Sequence, residues 1–520
     1  MKINNHWCSW IIGALCIGLS VACSDEWDQH YERESSLPTK SLWEQICTDD
    51  NLSTFARAIS LVGADSLLAS NQTYTVWAPI NEALQDIDFE DVEQLRRMVK
   101  NHMARYASPT STPASQRIYM LNGKPMEFAN GKYAGVVLAA SDIRAANGIL
   151  HKLEGQIPYK YNILEYISVH PDYSCIYEFI SKFNEKIYDT SLSTTYDSIF
   201  TDYNRLLQDA KYGVGSIGDE DSLYTMIIPD NAAWESTFNR ISPYFHSYNK
   251  DVNIADSVQV AQTSLAILGG LTFQGKVSLP AVSDTLQTIA GNKISNVTDY
   301  FNGYEEIEAS NGVIYLAKGV LNANDTCVWN HKIILESEDM DHRQNLSGTN
   351  SYIRTTDINS LVSGVSEGSY LEVSSGNVDG GVIFDITNTL AGTYDIYVDF
   401  VSPIVDGMNL IDEKTKVIFQ FKYMGANGKT TTANSPSKGT EVGAVESEGI
   451  ITVKAFEGVE LPVSNYYDGM WYLEEANIGA EIAKTTTLQV KTKVSNSDAK
   501  KGYVRKFRVD RVRFVPVITE

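Results

Sequence analysis

Histidine, cysteine and positive charge are all scarce in this chain, and each shortage removes a class of function. Eight histidines serve 520 residues, and beyond an amino-terminal leader they are His30, His102, His151, His170, His246, His331 and His342. None forms HExxH or another close pair, so a zinc hydrolase of that type is excluded. None follows His342. The GxSxG match Gly364-Val-Ser366-Glu-Gly368 therefore has no downstream histidine for a triad, and Tyr370 to Val373 read as extended where a nucleophile elbow needs a helix. Of six cysteines, Cys8 and Cys16 fall in the leader; Cys47, Cys175 and Cys327 are too far apart for a CxxC zinc site or a closed disulfide framework. They read as three buried thiols, with one disulfide as the alternative. Lysine and arginine number 42 against 65 acids, a formal charge of −23. That balance repels nucleic acid and anionic membrane surfaces and leaves neutral glycans or proteins as partners.

Two further patterns fail on chemistry. Gly213-Val-Gly-Ser-Ile-Gly218 fits GxGxxG, but Asp219-Glu220-Asp221 and then a strand follow, where a phosphate site needs a helix amino terminus. Carboxylates are abundant, yet nothing in the sequence fixes two of them at a glycosidase separation. The expectation is a protein that is not an enzyme.

Long apolar runs are also lacking, with one exception. Behind Lys2, Trp7 to Val21 is uncharged and apolar, the length of a signal-peptide core and short for a membrane span. It ends at Ala22-Cys23, which resembles a bacterial lipoprotein signal and implies lipid on Cys23. Ser24-Asp25-Glu26-Trp27-Asp28 then resembles the acidic surface-export signal of Bacteroidetes lipoproteins; the alternative is a solvated linker. Residues 1–22 are read as signal peptide and 23–37 as tether, with a lipid-anchored outer-membrane protein exposed at the cell surface as the expectation.

What is present is an echo. Tyr74-Thr-Val-Trp-Ala-Pro-Ile-Asn-Glu-Ala-Leu84 recurs loosely as Tyr224-Thr-Met-Ile-Ile-Pro-Asp-Asn-Ala-Ala-Trp234, and Asn147-Gly-Ile-Leu-His-Lys-Leu153 as Asn311-Gly-Val-Ile-Tyr-Leu-Ala317. In each first motif an apolar run predicts a buried strand, proline stops it, and Asn81 or Asn231 is placed to cap the helix that follows. The second motif predicts a turn into a strand. Helical spacing is read from Ser41 to Val62, over Asp91 to Tyr106, and around Tyr173 to Ile187. It is read again within an insertion, Asp189 to Asp221, at Ile199, Tyr203 and Leu206-Leu207. Ile118 to Leu138 alternates around Asn122-Gly123 like a hairpin.

On these residues, and on Asn101-His102, the chain resembles the fasciclin (FAS1) family, with one domain over 38–158 and a second over 159–322. The resemblance implies that His102 and His151 bond within the module, and it implies a role in cell adhesion or assembly. The second copy departs from the pattern, since only His246 lies between Tyr224 and Asn311.

After Asn322 the texture changes to short β-rich segments, at 333–335, 381–386, 394–400, 417–423, 450–456, 485–490 and 507–517, separated by Gly and Asn/Asp turns. That predicts an antiparallel, jelly-roll-like β-sandwich over 323–520, with Met424 to Gly449 as a long surface loop. The fold class is α+β: two FAS1-like α/β modules, then an all-β sandwich. Glu336-Ser337-Glu338, Leu390-Ala-Gly-Thr-Tyr-Asp-Ile-Tyr-Val398 and Val509-Asp510-Arg-Val-Arg-Phe514 resemble carbohydrate-binding modules of the galactose-binding-like type. That resemblance implies glycan contact and a structural calcium on Glu336, Glu338 and Asp510; the alternative is that these acids face solvent or pair with Arg508 and Arg511. No other cofactor is expected.

Tyr466-Tyr467-Asp468-Gly-Met-Trp471-Tyr472 reads as a loop whose flat rings beside a carboxylate could stack on sugars; the alternative is that they plug the end of the sandwich. The function expected is non-catalytic binding: a surface lipoprotein that holds a polysaccharide or oligosaccharide, accessory to an outer-membrane glycan-uptake system. The alternative is an assembly subunit that binds outer-membrane proteins and no sugar.

Overall fold

The computed structural model describes residues 38–112, 117–129, 131–188, 199–208, 214–279, 283–356, 364–402, 413–443, 449–466 and 486–517. Cys23 and the acidic tether lie outside them. The chain divides into two compact units, 1–161 and 162–520.

In the first unit the strand Tyr74–Pro79 is buried along its whole length. It lies between Met103–Arg105, antiparallel, and Gly148–Leu153, parallel and in register from Tyr74↔Gly148 to Pro79↔Leu153. A strand covered on both faces reads as an unbroken apolar run, which is why the motif shows no alternation. Helices Leu42–Cys47, Ser53–Leu61 and Val92–Asn101 bury Leu42, Ile46, Phe55, Ile59, Leu95 and Val99 against one face, on Val76 and Leu150. Trp77, Tyr133, Leu153 and Ile157 fill the other. In the second unit Tyr224–Pro229 repeats this design, antiparallel to Thr272–Gln274 and parallel to Gly312–Ala317 from Tyr224↔Gly312.

The motif asparagines cap helices, but not the adjacent ones. The helix Asn231–Ile241 is capped by Asp230, and the short turn Asn81–Leu84 has no side-chain cap. Asn81 instead reaches back, its Oδ1 accepting from Thr54 N–H (2.9 Å) at the start of Ser53–Leu61. Asn231 does the same for Cys175 N–H (2.9 Å), at the start of Ser174–Ser181. Asn147 accepts from Leu42 N–H (2.8 Å) and Asn311 from Ile163 N–H (3.0 Å), each the first residue of its helix. Orphan donors at four helix starts are thus satisfied over long sequence separations, tying helix to sheet.

Other local expectations change under tertiary packing. The helix expected to Ile187 stops at Ser181, and Asn184–Tyr188 turns into a strand paired with Phe200–Asn204. Ile199 and Tyr203 therefore belong to a hairpin rather than a helix, and among the described residues of the insertion Arg205–Gln208 is the helical stretch. The helix expected to Tyr106 ends at Asn101, because Met103–Arg105 is taken into the sheet. Ile118–Tyr119 and Pro125–Met126 do pair around Asn122-Gly123. The three thiols are free and none is fully buried: Cys47 is exposed, and Cys175 and Cys327 are half-buried.

The last third forms two antiparallel sheets. One runs Thr349–Thr355, Ser369–Ser375, Lys506–Pro516, Gly392–Val401, Ile450–Leu461, with Ile333–Glu336 also on Lys506–Pro516. The other runs Arg343–Asn345, Gly381–Asp385, Thr487–Thr492, Thr415–Met424, Thr430–Asn434, with Thr440–Val442 also on Thr415–Met424. Leu371, Val398, Phe400, Val509 and Phe514 from the first meet Val382, Phe384, Phe419, Phe421 and Leu488 from the second. The stretch from Met424 is not simply a loop, since two of these strands fold back from it onto Thr415–Met424.

The sandwich is joined to the preceding module by shared core and backbone. Leu390 and Tyr466 enter the module's core beside Phe245 and Trp329. Ala391 N–H donates to Tyr244 O (2.8 Å) and Ser464 N–H to His246 O (2.8 Å).

Candidate functional site

His102 and His151 bond within the first module. His102 is fully buried, with Nδ1 on Met98 O (2.8 Å) and Nε2 accepting from Ile157 N–H (3.0 Å). Desolvation pulls its pKa down to about 4, so it stays neutral. His151 bonds Ser108 O through Nε2 (3.0 Å) and stacks on Trp77. Tyr315 takes the equivalent position in the second module, its hydroxyl donating to Val277 O (3.1 Å). The GxGxxG match is also architecture: Ile217 O accepts from Asn311 Nδ2 (2.8 Å), and the strand Tyr224–Pro229 follows.

Ser366 of the GxSxG match is followed by the strand Ser369–Ser375, not a helix. Its Oγ–H donates to Glu336 Oε1 (2.9 Å) and its N–H to Asp510 Oδ1 (2.9 Å). Asp510 is brought there by a β-bulge. Asp399 pairs with Arg511 and the next residue, Phe400, with Val509, so Asp510 is the extra residue on its strand. Glu336, Glu338 and Asp510, proposed as calcium ligands from sequence, thus lie in one another's field. Each has one buried oxygen without a hydrogen-bond partner. Burial first, then Glu336, Asp510 and Glu367, raises the Glu338 pKa. Burial raises Asp510 to about 6, against the pull of Ser366 N–H and Arg511.

Among the described residues no three His, Cys, Asp or Glu side chains close into a metal cage as they stand. The chemistry nevertheless suits a hard cation, because buried carboxylate oxygens without hydrogen bonds are the ligands calcium takes, although Asp510 Oδ2 also lies 3.7 Å from Arg511 Nε in an ion pair. Glu336, Glu338 and Asp510 would hold it, and its charge would offset their repulsion.

This arrangement sets a pH dependence. A carboxyl whose folded pKa is raised favours the fold while protonated in both states and disfavours it once ionised. In chelator, the Asp510 contribution is therefore present below about pH 4 and lost as pH rises through about 6. Thermal melts of the wild type and Asp510→Asn from pH 4 to 7 should diverge in that window, the variant gaining relative to wild type. At pH 7, calcium should raise the wild-type melting temperature and leave the variant unmoved; equal shifts would remove Asp510 from the ligand set.

Of the aromatic loop, Tyr466 is described; Tyr467, Asp468, Trp471 and Tyr472 lie outside the described residues. Tyr466 makes an edge contact with Phe245 (5.5 Å between centroids), and its carbonyl accepts from Gln262 Nε2. It is a joint between sandwich and module, so its ring is engaged with protein rather than presented to a ligand.

A different surface was missed in the sequence. Val417, Phe419 and Phe421 point into the core, so Lys416, Ile418, Gln420 and Lys422 point out. Register then aligns Gln344, Ile383, Gln489, Gln420 and Asn434 as one row across the outer face of the second sheet. Asp385, Thr487, Lys422 and Thr432 form the next. Gln420 Nε2–H donates to Asn434 Oδ1 (2.9 Å). Gln489, at the centre, is only 8% exposed, and its side-chain amide makes no hydrogen bond among the described residues. Desolvation lowers the pKa of nearby Lys491. The only signal was the polar phase of the strand alternation, which does not say which strands become neighbours.

Residues 50–157 match the model of the fasciclin domain. Pig transforming growth factor-beta-induced protein ig-h3 is 27% identical over 135 residues, 23% of this chain and 19% of that protein. Human periostin is 25% identical over 292 residues, 54% of this chain and 31% of that one. The chain thus spans less than a third of either relative. Among solved structures, the FAS1 domain pair of the insect cell adhesion molecule fasciclin I covers 54% of this chain at 15% identity, with 98% of its own length and a TM-score of 0.20. The CBM22-1 xylan-binding domain of a Paenibacillus barcinonensis xylanase covers 36% at 8% identity, with 95% of its own length and a TM-score of 0.22. Residues 50–157 are thus similar to a fasciclin domain, the same strand design recurs around Tyr224–Pro229, and an antiparallel β-sandwich follows.

Proposed function

We propose that this chain is a non-catalytic binding protein of the outer cell surface, held by lipid on Cys23, whose sandwich grips a neutral polysaccharide along the outer face of its second sheet. The observation that carries the reading is Gln489, nearly buried on an outward-facing row, its side-chain amide without a hydrogen bond among the described residues. An amide offers a donor and an acceptor at once, and a row of them matches the hydroxyls along an uncharged glycan. The chain's net negative charge does not oppose such a ligand. The fasciclin modules serve adhesion or assembly in this reading. Among the described residues no helix is long and apolar enough to cross a membrane. Attachment is assigned to the acylated Cys23, so Cys23→Ala should leave the membrane fraction, and surface proteolysis of intact cells should clip the anchored form.

Affinity electrophoresis of the whole chain through gels with neutral polysaccharides tests the binding. Retention on at least one is expected, and Gln420→Ala with Asn434→Ala should weaken it about tenfold, the loss of one or two net hydrogen bonds. Unretarded migration on every polysaccharide would refute sugar binding at this face.

A further inference from the structure

The first module contains an open cavity of about 510 Å³ lined, among the described residues, by Arg105, Tyr106, Ser108, Arg117 and Tyr119 with others, and by no acidic residue. Neither guanidinium has an ion pair or hydrogen bond among the described residues. This is notable in a chain with 65 acids against 42 bases. Tyr106 has φ +68, a conformation that costs a residue with a Cβ about 1–2 kcal/mol. Its backbone is clamped there, N–H donating to Thr73 O (3.0 Å) and O accepting from Thr75 Oγ1 (2.7 Å). The residue is 75% exposed.

The second module shows what the backbone alone requires. There Thr225 Oγ1 donates to Gly275 O (2.8 Å), Gly275 N–H donates to Leu223 O, and Gly275 has φ +80. Glycine meets the same left-handed turn without strain. The tyrosine of the first module is therefore not there for the turn, and an exposed aromatic residue held at a cost beside two unpaired arginines is the signature of a contact.

We infer that this cavity binds a carboxylate-bearing sugar, a uronate unit within an oligosaccharide. Guanidinium forks match a carboxylate, and phenol rings stack on the C–H face of a pyranose. The volume lies within the range of small-ligand sites. An acidic peptide added as a strand fits less well, because the backbone beside the cavity is already paired: Ala104 bridges Met120, and Leu121 N–H donates to Met103 O (2.7 Å). This site belongs to the first module and the glycan face to the sandwich, and the inference does not depend on that face.

Calorimetric titration of the whole chain with trigalacturonate tests the assignment, with maltotriose, triglutamate and inorganic phosphate as comparison ligands. Saturable binding of trigalacturonate is expected, weakening with salt, with maltotriose at least about tenfold weaker. Arg105→Ala and Arg117→Ala should each weaken it about tenfold without lowering the melting temperature. Tyr106→Gly gives the sharpest reading: it relieves the backbone, so the melting temperature should hold or rise while affinity falls. Absence of trigalacturonate binding, equal affinity for triglutamate or phosphate, or unchanged affinity in all three variants would overturn the proposal. Loss of trigalacturonate binding in the Gln420→Ala, Asn434→Ala protein would move the site to the sandwich and overturn it too.

Discussion

Gly312→Ala should destabilise the second module by about 4 kcal/mol or more, at the severe end of single substitutions. A Cβ at Gly312 would lie 1.8 Å from Tyr224 O, and one at Gly148 would lie 1.9 Å from Tyr74 O. Both carbonyls belong to strands buried along their whole length and paired on each side, so neither can retreat without breaking the sheet. The glycine of Asn-Gly is thus required by close approach of two backbones as much as by its φ of +152. Gly303→Ala is the control. Its φ is +84 but a Cβ there meets nothing within 4 Å, so only about 1–2 kcal/mol should be lost. Urea unfolding of the two variants decides the matter, and equal losses would disprove the close-approach account.

Asn147→Ala should cost the first module about 3 kcal/mol, and Asn311→Ala a similar amount in the second. Besides capping Leu42, Asn147 donates through Nδ2 to Leu68 O (2.8 Å) and Ser70 O (2.6 Å). Asn311 donates to Ile217 O (2.8 Å) and Asp219 O (3.0 Å). Truncation strands a buried N–H and carbonyls that packing keeps from water. Asn147→Asp keeps the acceptor for Leu42 N–H and loses both donors, placing a carboxylate against two carbonyl oxygens. It should therefore be no better than alanine, despite aspartate being a good helix cap. If Asn147→Asp retained wild-type stability in urea, capping alone would be the role of this residue, and the pair of carbonyl bonds would contribute little.

These variants fall on the repeated motifs, and that is where the sequence was most readable. Tyr74–Pro79 and Tyr224–Pro229 are strands buried on both faces, which an uninterrupted apolar run ended by proline encodes locally. The strands of the sandwich core were readable for the same reason, since Phe419 and Phe421 alternate with polar neighbours. What failed was short or borrowed structure. Phe200–Asn204 has helical spacing yet pairs with Asn184–Tyr188, because a partner strand supplies backbone hydrogen bonds that local propensity does not count. Asn81 and Asn231 have the chemistry of caps, and sequence proximity pointed to the wrong helices.

The same division runs through the candidate sites. Glu336, Glu338 and Asp510 could be named from residue type and likeness, but it took a bulge in Lys506–Pro516 to aim Asp510 at the other two acids. Gln344, Gln489, Gln420 and Asn434 stand far apart in the chain and share a row only because of strand order and register. Tyr466 had the composition of a sugar-binding ring and became a joint on Phe245.

By itself, then, the sequence determined the two related α/β modules and the β-rich last third, because these follow from hydrophobic period and residue inventory. Only the tertiary structure decided which helix each asparagine caps, which carboxylates share a field, and which side chains become a surface. Those depend on contacts between residues distant in sequence, and the energy of such contacts is not written in any local stretch of the chain.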